Sequence, residues 1–215
     1  MSFKKFLPLV LLCYLFLFSP SLQAGELIVL SSATYDSIGG TDEARGVIAD
    51  TQDNIFVTGY VSDNSNDYLT IKYDINLSSI AVKSYDGGAN DKAYAITIDN
   101  QDNIIITGET GNTNEDYFTI KYDNGLIVIS SATYDGGNTD KAYGVVTDKQ
   151  SRIFVTGYTT NSTEDYFTIK YDSSLVVLTS TTYDGGNPDR ANSITRNSQN
   201  NVIVTGQSND GTTYN

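Results

Sequence analysis

A repeat of 49 residues fills most of this 215-residue chain. Thr-Gly pairs recur at that interval, at Thr58-Gly59, Thr107-Gly108, Thr156-Gly157 and Thr205-Gly206. Segments 91–123 and 140–172 are identical at 20 of 33 positions. Self-similarity of this kind indicates one small structural unit used several times, and such a unit buries its apolar face only by stacking on its neighbours.

Each unit has the pattern of four short strands separated by polar turns. In the second unit, alternation predicts a strand over Ala93–Ile98, and the continuous apolar run Ile104–Thr107 predicts a strand covered on both faces. Tyr117–Tyr122 and Leu126–Ser131 complete the set. Four antiparallel strands in a repeat of this length are typical of a blade of a β-propeller. The alternative, a parallel β-helix, has shorter coils and lacks such tight hairpins.

The first 24 residues have the order of a secretory signal peptide. Lys4 and Lys5 precede the apolar run 6–18, and small residues follow up to Ala24. The run is shorter than the roughly 20 residues that a membrane span needs, so we expect no stable membrane anchor. The chain is therefore predicted to be secreted, periplasmic or displayed on the cell surface.

The remainder, residues 25–215, is predicted to be one β-propeller repeat domain without a linker. Its units are roughly 36–84, 85–133, 134–182 and the partial unit 183–215. A lone fourth strand, Glu26–Ser31, precedes them. This count fits a four-bladed ring closed by that strand, or an incomplete propeller. An incomplete ring exposes strand edges and is expected to self-associate.

The units resemble a bacterial β-propeller repeat often called the SBBP repeat. The matching motifs are Asp-x-Ala-Tyr-Ala/Gly at 91–95 and 140–144, Asp-x-x-x-Asn before an apolar strand and Thr-Gly at 50–59 and 99–108, and Asp-Tyr-Phe-Thr-Ile-Lys-Tyr-Asp at 116–123 and 165–172. The resemblance implies an extracytoplasmic bacterial scaffold and no catalytic residues. Arg152 in place of a turn Asn and Asn192 in place of Tyr depart from the pattern.

Acidic residues recur in loops that a propeller places on one rim. This candidate acidic rim comprises Asp42, Asp91, Asp140, Asp189, Asp67, Asp116 and Asp165. Ca²⁺ takes six to eight oxygen ligands, so a calcium site here is one hypothesis; turn capping and surface solubility are the other. Lys92, Lys141 and Arg190 directly follow three of these Asp residues and are expected to neutralise them. The turns 50–54 and 99–103 are predicted to be hairpins, because they lack the glycine and closing glutamate of an EF-hand loop.

Other recurrent residues are predicted to be structural. Two tyrosine sets are expected to pack between blades, with a sugar-stacking surface as the alternative: Tyr68, Tyr117 and Tyr166, and Tyr73, Tyr122 and Tyr171. Lys72, Lys121 and Lys170 lie mid-strand, where pairing with a nearby Asp is expected. Arg45 and Arg196 are specific to single units, and neither has an evident acid–base partner.

The composition excludes several classes of function. The chain has no His and one Cys, which excludes a Ser-His-Asp triad and an intramolecular disulfide. Its net charge of −13 becomes 11 − 26 = −15 without residues 1–24, and it disfavours nucleic acid as a partner. We expect a non-catalytic scaffold for protein or glycan contacts that needs no cofactor. The alternative is a carbohydrate-active or calcium-dependent hydrolase that uses the acidic rim.

Overall fold

The computed structural model describes residues 31–37, 40–62, 65–88, 90–111, 114–209 and 211, and the backbone of 11–15. All regular structure in these residues is β-strand. None of the described segments forms a helix of the length and apolarity needed to cross a bilayer. The predicted export segment and the predicted strand Glu26–Ser31 lie largely outside the described residues.

Three four-stranded antiparallel sheets follow one another, each with its strands in chain order. The first contains β3 (Glu43–Ala49), β4 (Ile55–Ser62), β5 (Asn66–Tyr73) and β6 (Ser79–Tyr85). The second contains β7 (Lys92–Ile98), β8 (Ile104–Thr110), β9 (Asp116–Tyr122) and β10 (Val128–Tyr134). The third contains β11 (Asp140–Thr147), β12 (Ile153–Thr160), β13 (Glu164–Tyr171) and β14 (Val177–Tyr183). The four-strand prediction is confirmed for these three units.

Two antiparallel pairs flank the three sheets. β1 (Leu11–Leu15) pairs with β2 (Ser31–Tyr35), and β15 (Asp189–Arg196) pairs with β16 (Val202–Ser208). β15 and β16 are the first two strands of a further unit, since they repeat the register of β11 and β12. The single β2 packs Ala33 and Tyr35 against the core of the first sheet.

The second strand of each sheet is the most deeply buried. In β8, Ile104, Ile105 and Ile106 are all 0% exposed. Consecutive residues of a strand face opposite sides of a sheet, so both faces of β8 are covered. This confirms the prediction drawn from the unbroken apolar run.

The Thr-Gly motif joins strands within a sheet and sheets to one another. Thr107 Oγ1 donates to the carbonyl of Phe118 at 3.2 Å and lies 2.9 Å from Thr119 Oγ1 on β9. Beside Gly108, the hydroxyl of Tyr68 comes from the preceding sheet and donates to the same carbonyl at 3.2 Å. A Cβ on Gly108 would lie 2.6 Å from that hydroxyl. It would lie even closer to the carbonyl oxygen of Lys92 on the paired strand β7, so glycine is required there first by its own sheet and second by the neighbouring one.

Aspartates close the hairpins by accepting backbone hydrogen bonds. Asp99 Oδ1 accepts from the amides of Gln101 (2.8 Å) and Asn103 (3.0 Å), and Asp50 does the same at its own turn. These contacts agree with the hairpin interpretation of both turns. The predicted fourth strand of the second unit was placed too early. Leu126 lies in a turn closed by Asp123, with φ 62°, and β10 begins at Val128.

Each sheet packs face to face on the next. The first strand of a new sheet is tied to the third strand of the previous one, since Asp91 N donates to Asn66 O at 2.6 Å and Asp140 N to Glu115 O at 2.5 Å. Apolar clusters fill the spaces between neighbouring sheets, with Phe56 and Tyr68 joining Ile106 and Phe118 in one of them. The described residues thus form an all-β, β-propeller-like fold.

Candidate functional site

The acidic rim residues come together between neighbouring units. Three clusters, here called the Asp triads, each hold one oxygen from every carboxylate within 4.8 Å of the others. They are Asp67/Asp86/Asp91, Asp116/Asp135/Asp140 and Asp165/Asp184/Asp189. Six of the seven predicted rim residues belong to a triad. The seventh, Asp42, accepts hydrogen bonds from the amide (2.7 Å) and hydroxyl of Ser37 (2.6 Å).

The last member of each triad is buried and holds a turn in place, and in the third triad Asp165 is buried as well. Asp91 accepts from the amide of Gly87 at 2.6 Å and from the hydroxyl of Thr110. Asp140 accepts from Gly136 at 2.5 Å, and Asp189 accepts from Gly185 at 2.6 Å. Each of these three is 0% exposed. These carboxylates fasten the Gly-Gly turn that leads into the next unit.

In the second and third triads, Asp116 and Asp165 are placed where the charged carboxylate is disfavoured. Burial, followed by the charges of Asp135, Asp140 and Glu115, raises the pKa of Asp116 to about 6. Its Oδ1 is buried and has no hydrogen-bond partner among the described residues. Burial and the charge of Asp184 likewise raise the pKa of Asp165. Like charges this close favour the protonated form or a bound cation. The oxygen ligands are of the kind that Ca²⁺ takes, and three carboxylates are fewer than the six to eight oxygens that it needs.

The predicted neutralisation of the rim by the following cations is wrong. Lys141 pairs with Glu109 at 2.8 Å and Glu115 at 3.6 Å, Lys92 pairs with Glu109 at 3.6 Å, and Arg190 pairs with Glu164. Adjacent residues of a strand point to opposite faces, so each cation turns away from the Asp before it. Lys141 and Arg190 instead join their own sheet to an acid of the preceding one.

Five of the six recurrent tyrosines are packed in the interior, and Tyr166 is partly exposed. Tyr117, Tyr122 and Tyr171 are at most 1% exposed, and the hydroxyl of Tyr117 donates to the carbonyl of Phe167 in the next sheet at 3.1 Å. Burial raises the pKa of Tyr122 to about 12. Packing between sheets is therefore their role, and the alternative of a sugar-stacking surface is wrong for these five side chains.

The three mid-strand lysines occupy different environments. Lys121 is 3% exposed, pairs with Asp99 at 2.8 Å and donates to the Ser173 carbonyl at 2.7 Å. Lys72 donates to Asn124, and Lys170 lies 5.5 Å from the ring centroid of Phe154. The expected pairing with Asp is thus observed for Lys121.

A second candidate site lies where the first strands of four units meet. An open pocket of about 430 Å³ is lined by Arg45, Tyr94, Tyr143 and Asn192, here called the axial pocket. These residues are 49 positions apart, so they occupy the same place in every unit. The register of each first strand shifts at this place, as between Ala93 and Ala95 of β7. A bulge redirects the side chain of the extra residue, and here it points four side chains into one space.

The axial pocket combines aromatic and polar groups. The rings of Tyr94 and Tyr143 are 5.2 Å apart, and the Arg45 guanidinium lies 5.7 Å from the Tyr94 ring centroid. Arg45 also pairs with Glu43 at 2.7 Å. Burial and the charge and hydrogen bond of Glu109 raise the pKa of Tyr94 well above its usual value. All of these groups suit binding better than proton transfer at neutral pH.

The sequence predicted some residues of both sites and missed others. Asp86, Asp135 and Asp184 were not included in the rim, although their Tyr-Asp-Gly-Gly motif recurs in the sequence. Arg45 was predicted to be specific to one unit and Asn192 was noted as a departure from the repeat, but neither was linked to Tyr94 and Tyr143. Their shared 49-residue spacing was the available signal. The bulge that directs them inward leaves no mark in the apolar pattern.

No family model and no curated protein matches this chain. Among solved structures, it is similar to a catalytically inactive virginiamycin B lyase from Staphylococcus aureus with quinupristin, at 16% identity and a TM-score of 0.48, over 76% of this chain and 49% of the lyase. It is also similar to a gluconolactonase from Xanthomonas campestris, at 9% identity and a TM-score of 0.27, over 76% of this chain and 69% of that one. The chain thus spans about half of the lyase.

Proposed function

We propose that the chain is an exported, non-catalytic scaffold that makes protein or glycan contacts outside the cytoplasm. One observation carries this proposal: most of the polar residues that recur from unit to unit are engaged in holding the fold. Asp99 caps a hairpin, Asp91 fastens a turn, and Tyr68 joins two sheets. An active site needs one asymmetric set of groups, whereas these contacts recur from unit to unit. The axial pocket does differ between units, but its lining residues Arg45, Tyr94, Tyr143 and Asn192 include no carboxylate to act as an acid or base.

Export and propeller closure belong to the same proposal. The basic and apolar order of residues 1–24 supports a cleaved signal peptide. The repeated sheets support a propeller of the SBBP-repeat type, either four-bladed or incomplete. In this proposal the chain is of bacterial origin and keeps no membrane anchor, and nucleic acid is not among its partners.

Product analysis tests the non-catalytic part directly. The purified chain is incubated for a long period with neutral and acidic polysaccharides, with and without calcium, and the products are identified by mass spectrometry. The scaffold proposal predicts that every substrate is recovered intact. If products form with the wild-type chain and not with Asp116→Asn, the chain is a hydrolase and the non-catalytic proposal is overturned.

The Asp triads favour one second candidate, a calcium-dependent protein. Three carboxylates that repel one another become favourable neighbours when a cation lies between them. Calcium that binds only the folded state raises the melting temperature. The scaffold proposal predicts equal melting temperatures in excess calcium and in chelator, and a clear rise in calcium supports the second candidate.

A further inference from the structure

We propose that the axial pocket binds a neutral saccharide. The inference rests on the proposed scaffold function and deepens it, because it assigns a position and a chemical class to the glycan contact. It comes from four side chains that the same bulge directs into one space of about 430 Å³. That volume is within the usual range for small-ligand sites, which is about 300–1,000 Å³.

The two tyrosine rings provide the apolar wall. Tyr94 and Tyr143 have centroids 5.2 Å apart and an interplanar angle of 44°. Their hydroxyls are close to other side chains, that of Tyr94 to Glu109 and that of Tyr143 to Tyr158. The rings are therefore the parts left to offer a ligand. A sugar ring has an apolar C–H face that suits an aromatic ring, and hydroxyls at its edge that suit polar neighbours.

The polar groups stand on either side of these rings. Arg45 uses Nη2 to pair with Glu43 at 2.7 Å, and about two-fifths of its side chain is exposed (42%). Asn192 is exposed, and its amide makes no hydrogen bond within the described part of the chain. A guanidinium donates only, whereas an amide both donates and accepts. Together they match the hydroxyl groups of a saccharide.

The charges near the pocket favour a neutral ligand. Arg45 is balanced by Glu43, and Lys141 is balanced by Glu109 and Glu115. No free cation remains among these pairs to attract an anion, and the whole chain is strongly acidic. A uronic-acid polymer would approach against that charge.

The residues that line the axial pocket differ from unit to unit. Its four equivalent positions carry three chemical types, with Arg45 in the first unit, Tyr94 and Tyr143 in the second and third, and Asn192 in the fourth. The pocket is therefore asymmetric, although the fold around it is repetitive. An asymmetric wall can recognise one orientation of a sugar, which the repeated Asp triads cannot.

A calorimetric titration of the purified chain tests the inference. The probes are the neutral hexasaccharides of glucose, mannose and N-acetylglucosamine, with oligogalacturonate as the acidic probe. Because the chain has no Trp, quenching of tyrosine emission gives a second readout. We expect at least one neutral probe to bind, and oligogalacturonate to bind at least tenfold more weakly.

Variants locate the binding and separate stacking from hydrogen bonding. Tyr143→Ala and Asn192→Ala should each weaken binding about tenfold or more, whereas Tyr143→Phe keeps the ring and should retain most of the affinity. Tyr183→Ala, at an exposed position of β14, is the matched control and should bind as the wild type does. Melting curves establish that each variant is folded.

The outcomes distinguish this inference from the proposed function. If no neutral probe binds, or if Tyr143→Ala and Asn192→Ala leave the affinity unchanged, the pocket inference is overturned and the scaffold function stands. If a probe binds in the pocket but mass spectrometry finds it cleaved, the pocket stands and the non-catalytic function is overturned. Tighter binding of oligogalacturonate would overturn the preference for a neutral ligand.

Discussion

Aspartates of one sequence repeat have different environments, and these decide their effect on stability. Asp99 is buried at a hairpin, where burial opposes its charge but Lys121, Asn103 and two amides hold its pKa below the usual value. Asp116 lies against other carboxylates, and its pKa is raised to about 6. A group with a lowered pKa stabilises the fold above its unfolded pKa, and a group with a raised pKa stabilises it only at lower pH.

Asp116→Asn is expected to raise the melting temperature at pH 8, because it removes a charge that the fold disfavours. The wild-type carboxyl is fully protonated in the folded state below pH 4, and its favourable contribution is lost as the pH rises through about 6. The gain should therefore vanish near pH 4. Melting curves in chelator measure it, and Asp99→Asn is the control of opposite sign at pH 8. A loss of stability in Asp116→Asn at pH 8 would contradict this account.

Lys121→Met is expected to cost about 3–5 kcal/mol in the free energy of unfolding, because it leaves the Asp99 carboxylate buried without its partner. The repeat offers a matched control in Lys170→Met. Lys170 lies over the Phe154 ring, so its loss should cost below about 1 kcal/mol. Denaturant unfolding measures both. Equal losses of stability in the two variants would show that the ion pair of Lys121 contributes no more than the contact of Lys170 with the Phe154 ring.

Among the strands, the sequence pattern predicted their presence and order more accurately than their first and last residues. The unbroken apolar run of β8 and the 49-residue spacing predicted four-stranded sheets correctly. Leu126 was misassigned because an apolar residue in a tight turn looks like the start of a strand. It is only 4% exposed, so its burial outweighs the cost of a positive φ. The triads and the axial pocket depend on contacts between units, which periodicity within one unit does not show.

Gly108→Ala is expected to destabilise the chain by about 1–3 kcal/mol, since its Cβ would press on the Tyr68 hydroxyl and on the backbone of β7. Gly125→Ala is the control. Its Cβ would meet only the Asp123 carboxylate, at 3.3 Å, so a change within about 0.5 kcal/mol is expected. Chemical denaturation compares the two. If Gly108→Ala is as stable as the wild type, the β7 backbone and the Tyr68 hydroxyl do not approach Gly108 as closely as described.

At the scale of the whole molecule, the fourth strands form exposed sheet edges. β10 and β14 begin with apolar side chains that are about half exposed, Val128 at 48% and Val177 at 58%. Open edges with apolar side chains favour pairing with another chain, and charged residues prevent it. If the ring is incomplete and the chain self-associates as predicted, we expect these edges to be the surface that pairs.

The double variant Val128→Lys/Val177→Lys is expected to remain monomeric at concentrations at which the wild type associates. Sedimentation velocity over a concentration series measures the effect. Lys83→Arg on the exposed face of β6 is a control that keeps the charge and should associate as the wild type does. A wild-type chain that stays monomeric throughout the series would contradict the pairing of these edges.

The central claim is that four units curve around one axis and direct their bulged residues into a common pocket. The only Cys lies at position 13, within the predicted export segment, so two labelling cysteines can be introduced without interference. Double electron–electron resonance between spin labels at Arg45→Cys and Asn192→Cys measures the separation of the first and fourth units. Sheets that pack about 10 Å apart in a straight stack would place these units about 30 Å apart. A propeller-like arrangement predicts a single population of label-to-label distances clearly shorter than about 30 Å. A separation of about 30 Å or more would contradict this arrangement.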